Sequence, residues 1–385
     1  MSEEIQNFIR SLYGYECPVP LHEPSLGREE QEIILECLKS GYVSSAGPMV
    51  GRFELDFSKA VNSPYAISMV SGTAALHMGL LVCDVGPCDE VLTQSLSFVA
   101  TCNAIHYTGA RPTFIDISPK TLGLCPDSLQ AFLEGNTHQT KGGLVNKNTG
   151  NLIKAVIPMH VFGLPCEIDK IARICQKWNL VLIEDAAEGL GSKYKGQQVG
   201  TFGDVGIFSF NGNKIITAGG GGMLVTADEK IAERAKHLST TAKVSHPWLF
   251  QHDEIGYNYR MPNINAALGI AQLGKLDVFL REKRMIAAKY QNFFENRPEL
   301  YVTEPDNSHS NFWLNAIVFP SGERRDFFIK NSNQKNIFVR PVWEPIHNLT
   351  MFKSCDRGPL IETNRLADLL VNLPSSPIKE ICNGD

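Results

Sequence analysis

One feature constrains this chain more than any other. Short apolar runs alternate with stretches of helical periodicity. The apolar runs 66–70, 90–92, 113–116, 155–158, 180–183, 205–210 and 223–226 read as strands. Between them, 74–82, 100–107, 168–178 and 230–238 read as helices. In 168–178, Ile168, Ile171, Ala172 and Cys175 repeat at i, i+3, i+4 and i+7. Such alternation predicts an α/β fold, a mostly parallel sheet covered by helices on both faces. Two further helices, 29–39 and 53–60, precede the first strand, and the first of them stops at Gly41.

The pattern changes after a helix at 283–294. Strands at 312–319 and 337–339 flank a helical stretch at 326–331, which predicts a smaller α+β C-terminal domain. The boundary falls near Gly256, with a long helix over 263–280 linking a large domain (1–255) to a small one (256–385). The length of 385 residues accommodates two or three domains.

Charge narrows the function classes. Thirty-six Lys and Arg against 41 Asp and Glu give a net charge of −5. No broad basic surface for nucleic acid is expected, because phosphate-backbone binding needs many cationic contacts. A local pocket for a small anion is compatible with this balance. The ten cysteines, from Cys17 to Cys382, form no C-x-x-C pair and suggest no metal site. They read as buried, reduced thiols of a cytoplasmic protein. The first 20 residues lack the apolar region of a signal peptide, and no membrane span is expected.

Ligands of open α/β sheets bind beyond the carboxyl ends of the strands. Three unusual segments fall there. Ser71-Gly72-Thr73 opens a helix after the first strand, so backbone can approach a phosphate closely. The plainer reading is an N-cap. Glu184-Asp185-Ala186-Ala187-Glu188 ends an apolar strand, where a carboxylate needs a partner such as a protonated ring nitrogen. The plainer reading is a turn-capping aspartate. Ser209-Phe210-Asn211-Gly212-Asn213-Lys214 precedes the glycine run 219–222. A lysine there can reach into a cleft and form a Schiff base, although most lysines are solvated surface charges. Phosphate anchor, acid and lysine, in that order, are the three parts that pyridoxal phosphate requires.

Asp185 and Lys214 within E-D-A-A-E…G-D-V-G-I-F-S-F-N-G-N-K…G-G-G-G make the chain resemble the DegT/StrS-type nucleotide-sugar aminotransferases, which are fold-type I pyridoxal phosphate enzymes. The likeness runs from Pro20 to Pro374 and includes V-S-S-A-G-P-M-V, S-F-V-A-T-C-N-A-I, M-H-V-F-G and G-Y-N-Y-R-M. The resemblance implies that Lys214 binds the cofactor covalently and later moves the proton between two carbons. It implies that Asp185 pairs with the ring nitrogen, that Gly72, Thr73 and Ser209 hold the phosphate, and that Phe98 stacks on the ring. Asn258 would reach the cofactor phosphate of a neighbouring subunit, making the active unit a homodimer with shared sites. The resemblance also implies that Glu188 would stand beside the ring hydroxyl, where many relatives carry Gln or His.

Weaker candidates for substrate contact are His160, Arg260, Lys243, His246 and His347. For His160 the competing reading is a satisfied core histidine, and for Arg260 a structural ion pair. Residues 340–347, from Arg340 to His347, resemble a family segment lining the mouth of the site, with core packing as the alternative for Trp343.

By the same resemblance, the expected reaction is amination of a nucleotide-linked 4-keto-6-deoxy sugar. The leading substrate is UDP-4-keto-6-deoxy-N-acetylglucosamine, with L-glutamate as donor, serving legionaminic acid, bacillosamine or similar surface glycans. The competing expectations are C3 or GDP-sugar specificity, a sugar dehydratase on the same fold, and a non-catalytic regulatory protein. The dehydratase reading is disfavoured by Lys214, which such relatives replace with histidine.

Overall fold

The computed structural model of the chain describes residues 2–14 and 18–377. Among them is a nine-stranded sheet whose main path is Tyr65–Met69, Gly222–Thr226, Val205–Ser209, Val181–Asp185, Leu152–Ile157, Asp89–Gln94, Arg111–Ile115. From Val205–Ser209 onward every neighbouring pair is parallel. Gly222–Thr226 runs against both of its neighbours. This mixture decides where the chemistry gathers. Met69, Asp185 and Ser209 are strand ends pointing the same way. The antiparallel strand begins there, with Gly222 in register with both Met69 and Ser209.

The helices follow the expected periodicity. The helix Ile168–Trp178 buries Ile168, Ile171 and Cys175. The helix Arg28–Ser40 ends where Gly41 takes φ 75°, a left-handed conformation that glycine adopts at little cost. The expected helix 263–280 is instead two, Asn263–Gly274 and Leu276–Phe294, which meet at Lys275. Lys275 is held there by ion pairs to Glu29 and Glu30. The expected strand 312–319 shortens to Asn315–Val318, and 337–339 gives way to a strand at Arg340–Pro341. These two strands join a four-stranded sheet with Leu300–Tyr301 and Leu370–Leu373.

Apolar packing crosses residue 256 in both directions. Helix Asn263–Gly274 belongs with the large sheet: Gly269 lies so close to the Phe53 ring that an added Cβ would sit 2.8 Å from it. Conversely, Ile5 and Ile9 of the N-terminal helix Ser2–Tyr13 share an apolar core with Ile286, Tyr290, Phe328 and Val371 of the C-terminal part. The largest core also runs on without a break from Phe208 and Phe210 to Trp313 and Val342. An apolar helix face goes where complementary surface remains uncovered, and chain order does not dictate this.

The eight cysteines among the described residues are all free. Cys37, Cys102, Cys166 and Cys175 are buried as expected, whereas Cys88 is exposed. Cys17 and Cys382 lie outside the described residues. No helix of the described residues is long and apolar enough to cross a membrane.

Candidate active site

A cavity of about 300 Å³ opens at the strand ends near Asp185 and Ser209. Gly72, Thr73, Phe98, Asp185, Glu188, Ser209 and Lys214 all line it. Residues 142 positions apart in sequence thus meet because parallel strands deliver their ends to one place.

The floor is made of backbone. Helix Gly72–Val82 starts with Ser71 as its cap, the Ser71 Oγ accepting the Ala74 N–H at 3.1 Å. The N-cap reading is therefore correct, and it leaves the first-turn amides of Gly72 and Thr73 without intrahelical acceptors. A Cβ on Gly72 would stand 2.8 Å from Ser209 Cβ, so only glycine lets the helix start close over the strand end. The result is a cradle of phosphate size with a favourable helix dipole.

Asp185 is buried. Its Oδ2 accepts the Thr101 hydroxyl at 2.7 Å and its Oδ1 the Ala187 N–H at 3.1 Å. Burial pushes its pKa up, and the Thr101 and Ala187 hydrogen bonds and the Lys214 charge oppose the rise. A carboxylate in this position gains from a cationic partner within the cavity.

Lys214 rises from the turn after Val205–Ser209. Its Nζ lies 3.1 Å from Glu188 Oε1 and 4.1 Å from the centre of the Trp313 ring. Glu188 Oε2 accepts the Phe162 N–H at 2.9 Å. Two strained residues build this wall: Phe162 has φ 56° and Phe312 has φ 48°, both in the left-handed region that bulky side chains avoid. The Trp313 indole N–H donates to Asn213 O at 2.5 Å, tying the wall to the lysine turn. Behind it, the buried Lys283 ammonium donates to the carbonyls of Trp313 and Ser375 at 3.0 and 2.6 Å.

The remaining candidates lie elsewhere. His160 is fully buried and is a core residue. Its Nδ1 accepts the Cys166 N–H at 3.1 Å, so the ring is neutral and donates from Nε2 to Glu184 at 3.0 Å. Arg260, read as a substrate contact or a structural ion pair, forms no ion pair among the described residues: its guanidinium donates to Asn258 Oδ1, and both side chains are exposed. Lys243 packs over the Phe250 ring, and His246 accepts the N–H groups of Trp248 and Leu249. His347 is bonded to Ser95 at 2.7 Å. None of these six lines the cavity within this chain.

Sequence reading gave no individual role to Thr101, Trp313 or Lys283. Thr101 sits inside the S-F-V-A-T-C-N segment, but nothing local marks a threonine as the partner of an aspartate 84 positions away. Trp343, read as core or mouth, lines the cavity and also packs against the main core, 5.3 Å from the Phe162 ring and 6.3 Å from the Phe98 ring.

The geometry fits pyridoxal phosphate: a backbone cradle that a Cβ would fill, a buried carboxylate and a lysine amine face one cavity. Comparison with known proteins agrees. The model of the DegT/DnrJ/EryC1/StrS aminotransferase family matches residues 24–380. The GDP-perosamine synthase of Escherichia coli O157:H7 is 37% identical over 360 residues, covering 93% of this chain and 93% of the relative. The dTDP-4-dehydro-2,3,6-trideoxy-D-glucose 4-aminotransferase of Saccharopolyspora spinosa is 32% identical over 376 residues, covering 93% and 92%. Among solved structures, the aminotransferase TlmJ from Streptoalloteichus hindustanus superposes with a TM-score of 0.84 at 29% identity, over 92% of this chain and 93% of that one. Sequence, fold and site converge: this chain belongs to the DegT/DnrJ/EryC1/StrS family of pyridoxal phosphate-dependent aminotransferases and is a nucleotide-sugar aminotransferase.

Proposed function

We propose that the enzyme aminates C4 of a nucleotide-linked 4-keto-6-deoxy hexose, with UDP-4-keto-6-deoxy-N-acetylglucosamine as substrate and L-glutamate as donor, for surface-glycan or nonulosonic acid synthesis in the cytoplasm. The observation that carries the reading is Lys214 Nζ standing in the same cavity as Asp185 and the Gly72 cradle. Position C4 is favoured by the relative named as a 4-aminotransferase.

When bound, pyridoxal phosphate supplies the carbon that takes the amine and an electron sink for the C–H bond that breaks. Lys214 holds it and, once free, its Nζ carries a proton from the donor's α-carbon to the carbon accepting it, and the reverse with the sugar. Asp185 keeps a proton on the ring nitrogen through charge. Gly72, Thr73 and Ser209 anchor the phosphate, and Phe98, 48% exposed, offers a ring face for stacking. Glu188, 3.1 Å from the Lys214 Nζ, would stand by the ring hydroxyl. Asn258 serves the cofactor of a partner subunit. Its exposure on its own chain supports this reading and a homodimer with shared sites.

A second reading, a GDP-linked substrate, is favoured by the 37% identity to a GDP-perosamine synthase. The test is a panel of UDP-, GDP- and dTDP-linked 4-keto-sugars with glutamate, read by mass spectrometry. Amination of the UDP sugar at C4 is the expected outcome, and turnover of the GDP sugar alone would replace it. A Lys214→Ala enzyme that still turned over repeatedly at the wild-type rate would overturn the mechanism.

A further inference from the structure

Asp185 is supplied with hydrogen bonds differently from the buried carboxylates around it. Glu184, one residue before it in the strand, accepts four: from the Gly200, Phe202 and Gly203 N–H groups and from His160. Asp116, just past the strand Arg111–Ile115, also accepts four: from the Ile117, Glu362 and Thr363 N–H groups and from the Thr363 hydroxyl. Asp185 accepts two, and among the described residues only the Thr101 hydroxyl, at 2.7 Å, reaches its Oδ2. Lys214, Glu188, His160 and Cys102 act on Asp185 through space, and no hydrogen bond joins any of them to its carboxylate. A buried carboxylate needs donors to stay charged, so each of the two that Asp185 has matters more.

Thr101 is placed for this task. It is fully buried and stands in the first turn of the helix Val99–Tyr107, where the helix dipole favours a neighbouring negative charge. Thr108, Thr137 and Thr240 give their hydroxyls to carbonyls three or four residues back in the chain. The Thr101 hydroxyl instead crosses to an aspartate 84 positions away. Its single proton lies on Asp185, so its oxygen is left to accept from Ser97 Oγ, 3.2 Å away and also buried. Hydroxyls joined in series polarise one another and strengthen the last bond. We propose that Thr101 is a positioning residue for the reaction: its hydroxyl, supported by Ser97, holds the Asp185 carboxylate in its charged form and so keeps the proton shared with the cofactor on the ring nitrogen. This rests on the role proposed for Asp185 and adds the group that sustains it.

The test uses holoenzyme reconstituted with pyridoxal phosphate isotopically labelled at the ring nitrogen. The nitrogen resonance, followed against pH, reports where the ring loses its proton. Thr101→Val and Thr101→Ala remove the hydroxyl with and without the branched bulk. In both, the midpoint should fall by about one unit or more. In Thr101→Ser, which restores the hydroxyl, it should stay within about half a unit of wild type. Ser97→Ala should lower it by less than Thr101→Val does. A threonine that serves packing alone would leave the midpoint where it is. An unmoved midpoint in Thr101→Val and Thr101→Ala, or an equal fall in Thr101→Ser, overturns the proposal. Asp185→Asn separates the two readings. If it leaves the midpoint at the wild-type pH, the role given to Asp185 fails. If it lowers the midpoint and the Thr101 variants do not, only the role of Thr101 fails. Infrared spectroscopy of the cofactor-free proteins reads the same balance should the variants hold the cofactor poorly. The protonated-carboxyl band, assigned by its loss in Asp185→Asn, should persist in Thr101→Val to a pH about one unit higher than in wild type. Coincident titrations of that band would equally overturn the proposal.

Discussion

The Lys214 ammonium lies 3.1 Å from Glu188 Oε1, with the carboxylate 1% exposed and the lysine 13% exposed. Burial drives the Glu188 pKa upward, and the charge of Lys214 and the Phe162 N–H hold it back.

Glu188→Gln tests this coupling. Glutamine keeps an oxygen for the Phe162 N–H and loses the charge. A negative neighbour favours the protonated form of the nitrogen joining lysine and cofactor, so its removal lowers that pKa. The pH midpoint of the bound cofactor's absorption should fall by about one unit or more. An unmoved midpoint would show that Glu188 is electrically silent.

Asp185→Asn should separate stability from function. The folded pKa of Asp185 is raised by burial, so between the unfolded value, about 3.9, and the folded one the native state binds more protons than the unfolded chain. Wild-type stability from this group therefore falls as pH rises through that window and stays lower above it. Asparagine has no such slope. Cofactor-free Asp185→Asn should match or exceed the wild-type Tm at pH 7, while its affinity for pyridoxal phosphate drops. A lower Tm at neutral pH would contradict the sign.

Gly72→Ala places a Cβ 2.8 Å from Ser209 Cβ. The helix start or the strand end must move, at a cost of about 1–3 kcal/mol. Denaturant unfolding should show this loss. Cofactor titration should show a weaker phosphate site, because the amides no longer converge.

Trp313 covers Lys214 and is 2% exposed. Trp313→Phe loses the hydrogen bond to Asn213 O and should cost about 1–2 kcal/mol. Trp313→Ala should cost about 3–5 kcal/mol by leaving a cavity. Equal losses in chemical denaturation would mean that the indole N–H, not the packing, anchors this wall.

Shared sites predict complementation. Lys214→Ala and Asn258→Ala are each expected to be inactive. Refolded together in equal amounts, half of the dimers carry both chains, and one of their two sites is intact. Activity should recover to about a quarter of wild type. No recovery would place Asn258 in its own subunit's site or outside the chemistry.

The alternation of apolar runs with helical stretches was enough to determine an α/β sheet. The loop at 71–73, Asp185 and Lys214 were legible because strand ends of such sheets face one crevice, whatever the exact crossing angles. Local signals also marked Gly41, where backbone geometry alone demands glycine. Thr101, Trp313 and Lys283 were illegible as site residues, because their roles are defined by contacts between segments far apart in sequence. The packing across residue 256 was illegible for the same reason. Residues 263–274 and 2–13 bury apolar faces against partners that only the folded chain brings near. His160 shows the limit most clearly. Its motif admitted a substrate contact or a core role, and the Cys166 N–H and Glu184 decided for the core. Sequence determined which groups stand at the strand ends, because periodicity and backbone preference act locally. Tertiary structure decided which of them share the cavity and which carry no protein counter-charge, because burial and pairing depend on the whole fold.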